Sequence, residues 1–173
     1  MRVFALSLMV FLPGTGRGIA GEEPKSPSHA PASIELRDQY DAPQRLTFPA
    51  TNVVVLTIAD KKGSEQIDGW VAALKAYYAG RIELRGLAEV GGVPGFLRGK
   101  VRKNFQETRP YPVMMDWSGT NCAAFNYQKN VANVLLIGRD GAILGRFTGP
   151  ASKQTIAKLR EVLDRALLLA SKR

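Results

Sequence analysis

Six positions carry the side chains with which this 173-residue chain could do chemistry: Cys122, the run Asp60-Lys61-Lys62, and the pair Asp116-Trp117. Cys122 is the only cysteine. An exposed, ionised thiol can sense peroxide, reduce it as a one-cysteine peroxidase, or join two chains through a disulfide. A lone thiol cannot cross-link within its chain or run two-cysteine exchange. The phrase Cys122-Ala123-Ala124-Phe125 also fits a short apolar helical turn, and free cysteine is among the most often buried residue types. Both readings are open at this point. Asp60-Lys61-Lys62 follows one apolar run and Asp116-Trp117 follows another. Two lysines at a helix start can hold an anion, and the two aspartates can be read as a carboxylate pair. The alternatives are a solvated loop and ordinary strand-ending acids. The single histidine, His29, lies in a stretch rich in proline and serine, a poor setting for catalysis.

Other chemistries find no support. There is no H-x-H, C-x-x-C or C-x-x-x-C spacing, so no metal centre is expected. Glycines 91, 92, 95 and 99 match neither a phosphate-binding loop nor a dinucleotide fingerprint, so no cofactor is expected either. The basic stretch Arg98–Lys103 has no aromatic stacking platform beside it, which argues against nucleic acid.

The elements that must position these residues can be traced in order. Ile34-Glu35-Leu36 and Arg45–Phe48 are short alternating pieces around Asp41-Ala42-Pro43, which predicts an N-terminal hairpin. Asn52–Ala59 is a β-branched run of the kind found in a central strand covered on both faces. Ile67, Val71, Leu74 and Tyr78 recur at helical spacing, with Ser64 as the expected cap and Gly80 as the stop. Arg81–Val90 alternates again as a second strand, ending at Glu89 and Gly91. Pro94 opens a helix whose stripe of Leu97, Val101 and Phe105 should face the core. Val113–Asp116 is a third strand, and residues 121–127 make one or two helical turns. Val131–Ile137 and Ala142–Phe147 form a hairpin about Arg139-Asp140-Gly141. A last helix carries Ile156, Leu159, Val162, Leu163 and Ala166 on one face, with Ser152 as its cap. In open α/β sheets ligands gather beyond the carboxyl ends of the parallel strands. Asp60, Lys61, Lys62, Asp116 and Trp117 are therefore the candidate ligand-binding residues.

The beginning of the chain reads as an export signal. Met1-Arg2 gives a positive start, Val3–Leu12 is apolar but for Ser7, and Gly18-Ile19-Ala20 offers small residues for cleavage after Ala20. The expected organisation is a signal at 1–20, a flexible tether at 21–33 and one domain at 34–173. The mature chain should be periplasmic or extracellular, with no membrane-spanning segment. The formal charge of +9 would fall to +7 on cleavage. A basic surface favours anionic neighbours, so an anionic envelope component or an unidentified protein is the expected partner. Apolar residues make up 45% of the chain, enough for a core that needs no disulfide.

This element order and several phrases resemble the thioredoxin-like superfamily, in particular its alkyl-hydroperoxide-reductase and thiol-specific-antioxidant (peroxiredoxin-like, redoxin) branch. Tyr111-Pro112-Val113-Met114-Met115-Asp116 is similar to that branch's third strand. Leu135–Ile143 is similar to its closing hairpin, and Gly149 with the final helix to its ending. The segment from Val93 to Gly149 also resembles exported proteins of the YtfJ type. The resemblance implies a three-layer α/β/α fold with a mixed central sheet, extended here by the N-terminal hairpin. It also implies where cysteines should be. Where the first central strand meets its helix, the family carries C-x-x-C or P-x-x-x-T-x-x-C, whereas this chain reads Asp60-Lys61-Lys62-Gly63-Ser64-Glu65. Ala132 stands where the family has a cis-proline or an arginine. The expectation is a non-catalytic exported protein that binds a partner or small ligand. The alternative is an atypical one-cysteine redox protein using Cys122.

Overall fold

The computed structural model describes residues 28–170; the expected export signal and tether residues 21–27 lie outside the described residues. Strands β1 (Ser33–Arg37) and β2 (Pro43–Thr47) form an antiparallel hairpin. Their alternation buries Ile34 and Leu46 on one face and leaves Glu35 and Arg45 outside. Asp38 organises the turn, its carboxylate accepting bonds from the N–H groups of Tyr40 and Ala42 and from the Gln44 amide.

The uncharged run β3 (Val54–Ala59) is buried at every position and forms the centre of a five-stranded sheet. On one side it pairs in parallel with β4 (Glu83–Glu89), reached through helix α1 (Ile67–Tyr78). Helix α2 (Arg98–Thr108) then leads to β5 (Val113–Asp116), parallel to β4 and at the sheet edge. The short helix α3 (Thr120–Ala124) follows. On the other side of β3 runs the antiparallel β6 (Asn133–Ile137), paired with β7 (Ile143–Thr148). Gly141 makes that turn at φ +91°, packed so closely that a side chain there would meet the Phe48 ring. Helix α4 (Lys153–Ala170) closes the chain, and the Ser152 hydroxyl accepts a bond from the Thr155 N–H as the expected cap.

Strand alternation separates two cores. Val53, Val55 and Ala59 face α1 and α4, meeting Trp70, Leu74, Leu159 and Leu163. Val54, Leu56 and Ile58 face the other way, against Cys122, Phe125 and the hairpin's Ile34 and Leu46. Three layers result, the second outer layer being the β1–β2 hairpin with α3 rather than a row of long helices. A smaller cluster places Val101, Phe105 and Trp117 beside Val113 and Met115 at the β5 edge.

Two local expectations change. Ser64 does not cap α1: it lies in a 3₁₀ turn, Gly63–Gln66, and its hydroxyl donates to the Lys61 carbonyl. The stripe Leu97, Val101 and Phe105 is not full core, because α2 packs on a sheet edge; none of its residues is buried, and Leu97 is 38% exposed. Residues 28–32, counted with the tether in the sequence, run along the β6–β7 turn. Ser28 and Ala32 accept bonds from Ile143 and Phe48, and Ala30 donates to Gly141. His29 pairs there with Ala142, exposed. Gln39, fully buried, fixes the hairpin to the β5 edge by accepting from the Val113 N–H and donating to the Tyr111 carbonyl.

Candidate functional site

The three parallel strands end on acids: Asp60 just after β3, and Glu89 and Asp116 as the last residues of β4 and β5. Each is held by the loop that follows it. Asp60 accepts from the backbone N–H of Gly63 at 2.8 Å and of Asn130 at 2.7 Å, so one carboxylate ties the β3–α1 loop to the segment entering β6. Glu89 accepts from the Gly91 N–H. Asp116, fully buried, accepts from the N–H groups of Gly119 and Cys122, the Ser118 hydroxyl and the Asn121 amide. Burial pushes the Asp116 pKa up, but these hydrogen bonds outweigh it and leave the carboxyl below its ordinary range. The aspartate pair is thus two separate loop anchors. Among the described residues no group of three or more His, Cys, Asp or Glu side chains is placed to hold a metal ion.

The loop at residues 60–66 is packed shut. A side chain on Gly63 would lie 2.3 Å from the Val131 carbonyl oxygen, so glycine lets the two backbones meet. Gln66 accepts from the Ala132 N–H, and the guanidinium of Arg109 donates to the Ser64 carbonyl while pairing with Asp68. Ala132, fully buried, therefore abuts the loop. Beneath the loop lies a cavity of about 30 Å³, lined by Ala59, Ser64, Ile67, Phe105 and Arg109, with room for about one water. Lys61 and Lys62 are exposed on the outside of the loop.

Cys122 is 0% exposed, in the second core against the sheet. Burial raises its thiol pKa far above the usual range, and the Asp116 charge, the bond to that carboxylate and the charge of Glu89 raise it further. The thiol is therefore held neutral, the opposite of what a nucleophile needs. Tyr127 is likewise pushed up, by burial and by the charges of Glu89 and Asp60.

Trp117 lies apart from the lysines. β4 separates β3 from β5, which puts the two strand ends about 10 Å apart at ordinary strand spacing. The Trp117 ring instead meets two cations of α2, Arg98 at 5.1 Å and Arg102 at 5.8 Å. Its indole nitrogen and the Arg102 Nε are buried without a hydrogen-bond partner among the described residues. Each such orphaned donor costs about 1–3 kcal/mol. The sequence pointed to Trp117 and to the basic helix separately. It did not join them, and it missed the hairpin residues beside them.

The architecture is a thioredoxin-like α/β fold. A Chlorobium tepidum protein assigned as the thiol:disulfide interchange protein DsbE is similar in structure at a TM-score of 0.62 and 16% identity, over 83% of this chain and 98% of that one. StoA from Bacillus subtilis is similar at 0.58 and 13%, over 79% and 98%. The exposed lipoprotein thioredoxin Etrx1 from Streptococcus pneumoniae is similar at 0.59 and 14%, over 77% and 99%. No protein-family model and no curated protein matches the chain. No helix among the described residues is long and apolar enough to cross a membrane.

Two outcomes test this geometry. Gly63→Ala should destabilise the fold by about 1–3 kcal/mol, the usual cost of overpacking. Gly92→Ala, where a side chain meets nothing within 4 Å, should change stability by less than about 0.5 kcal/mol in the same urea titration. Asp116 is ionised more readily folded than unfolded, so it adds stability above its ordinary value of 3.8 that is lost as pH falls through its lower folded pKa. Asp116→Asn should lower stability at neutral pH and flatten the acid limb of the stability–pH curve. An unchanged acid limb would mean that this carboxylate is not the one that titrates there.

Proposed function

We propose that this chain is a non-catalytic thioredoxin-fold protein that binds an anionic partner or small ligand outside the cytoplasm. The carrying observation is the closed loop at residues 60–66. Where the fold's thiol chemistry resides in the resembled families, Asp60 binds Gly63 and Asn130, and Gly63 rests against Val131. That arrangement holds neither a cysteine nor space for a disulfide. The one thiol of the chain lies elsewhere, buried and held neutral. This weighs against the one-cysteine redox reading, which needs an exposed thiolate.

The finer likenesses, to the peroxide-reducing branch and to YtfJ-type proteins, rest on the phrases Tyr111–Asp116 and Leu135–Ile143 and belong to this proposal. Export is supported by the apolar start of the sequence and by the exposed-lipoprotein character of one structural neighbour. An anionic partner is supported by the formal charge of +9 and the exposed pair Lys61 and Lys62.

Peroxide treatment of the native protein, read by intact mass against Cys122→Ser, tests the reading. The expected result is no oxidised thiol at peroxide levels that oxidise a free cysteine, with oxidation only after denaturation. Rapid sulfenic acid or disulfide-linked dimer in native buffer would establish redox chemistry at Cys122 and overturn the proposal.

A further inference from the structure

An isolated bridge between Asp38, just after β1, and Met114 joins the hairpin to β5, and a groove opens beside it. The opening is a groove of about 730 Å³, within the range of small-ligand sites. Leu36, Pro43, Met115 and Trp117 give it apolar walls, and Arg37, Arg45 and Arg102 bring three guanidinium groups to it, against the single acid Glu35. Arg45 pairs with Glu35. Asp41, in the hairpin turn, binds both Arg37 and Arg102, which fixes them beside the groove. The Gln106 amide donates to the Gln39 carbonyl and holds α2 against the same turn.

Asp41 contacts Arg102 at Nη2, 2.8 Å away, and a third of the Arg102 side chain stays exposed. Among the described residues neither Arg102 Nε nor the neighbouring Trp117 Nε1 has an acceptor, and both are shielded from solvent. Arg102 and Trp117 line one wall of the groove, and its three guanidinium groups outnumber the carboxylates of Glu35 and Asp41 by one, which favours an anionic group there. A guanidinium edge suits a planar carboxylate, while the apolar walls suit a hydrocarbon body.

We infer that the groove between the β1–β2 hairpin and Trp117 binds an apolar molecule bearing a carboxylate, either a free organic acid or the C-terminus of a peptide. The carboxylate meets the exposed part of Arg102 beside Trp117, and the apolar body lies on Leu36, Pro43 and Met115. This deepens the proposed binding function, on which it rests, and supplies it with a site.

Octanoate, octanol and acetate are titrated into the full-length chain and followed by tryptophan emission, with Trp117→Phe identifying the Trp117 signal. The expected result is saturable octanoate binding at least about tenfold tighter than either octanol or acetate. Arg102→Gln, checked for an unchanged circular dichroism spectrum, should remove that tenfold advantage while leaving octanol unaffected. Arg45→Gln, at an exposed position, should act in the same direction with a smaller loss. A short Ala-Leu-Leu peptide, with free or amidated C-terminus, separates the two sources: tighter, amide-sensitive binding assigns a peptide terminus, and octanoate binding alone assigns a free acid. Equal binding of octanoate and octanol, no saturable signal, or an unchanged Arg102→Gln would overturn the assignment. The peroxide experiment fails independently of this one, so a reactive thiol sinks the non-catalytic reading while a silent groove sinks only the site.

Discussion

Two backbone N–H groups, from Gly63 and Asn130, share the carboxylate of Asp60, and the carboxyl end of the sheet is arranged around that bond pair. Asp60 joins segments 70 residues apart in sequence and brings the backbone of Gly63 against that of Val131. Glu89 and Asp116 repeat the device at the ends of β4 and β5, each capturing N–H groups that the turning chain would otherwise leave unmet. A strand end that leaves its following loop open can carry a reactive side chain. Here the three acids fold the loops inward over the strand ends.

The same bonds determine the state of the single thiol. Asp116 accepts from the N–H of Cys122, which seats α3 so that its cysteine faces Leu56, Ile58 and Phe125 across the second core. The carboxylate that positions the thiol also disfavours its ionisation. Burial and charge act in one direction, so a stable Asp116 site and a reactive Cys122 are physically opposed.

Local pattern made much of the fold legible. The β-branched run of β3, the Asp140-Gly141 turn, the α1 stripe from Ile67 to Tyr78 and the Ser152 cap were each readable, because each depends on neighbours within a few residues. Features set by long-range packing were not. Ser64 looks like a helix cap, but the loop's N–H groups are claimed by Asp60. Leu97, Val101 and Phe105 look like core, yet their helix covers only an edge strand. Asp60, Lys61, Lys62, Asp116 and Trp117 could be placed at strand ends from sequence. That the two acids are spent on loops, and that Trp117 meets Arg98 and Arg102, depends on contacts no spacing encodes. The groove was the least legible, since Gln39 and Val113, which dock its two walls, are 74 residues apart.

Cys122 belongs to the core of a closed, thioredoxin-like scaffold. The most direct measure of this is the rate of Cys122 alkylation across a denaturant series, compared with global unfolding of the same sample. If the claim holds, the free energy of opening from labelling equals the free energy of unfolding and falls with the same denaturant slope. Labelling that is fast in native buffer, or independent of denaturant, would mean that local motion exposes the thiol, and the account of a closed and inert site would be contradicted.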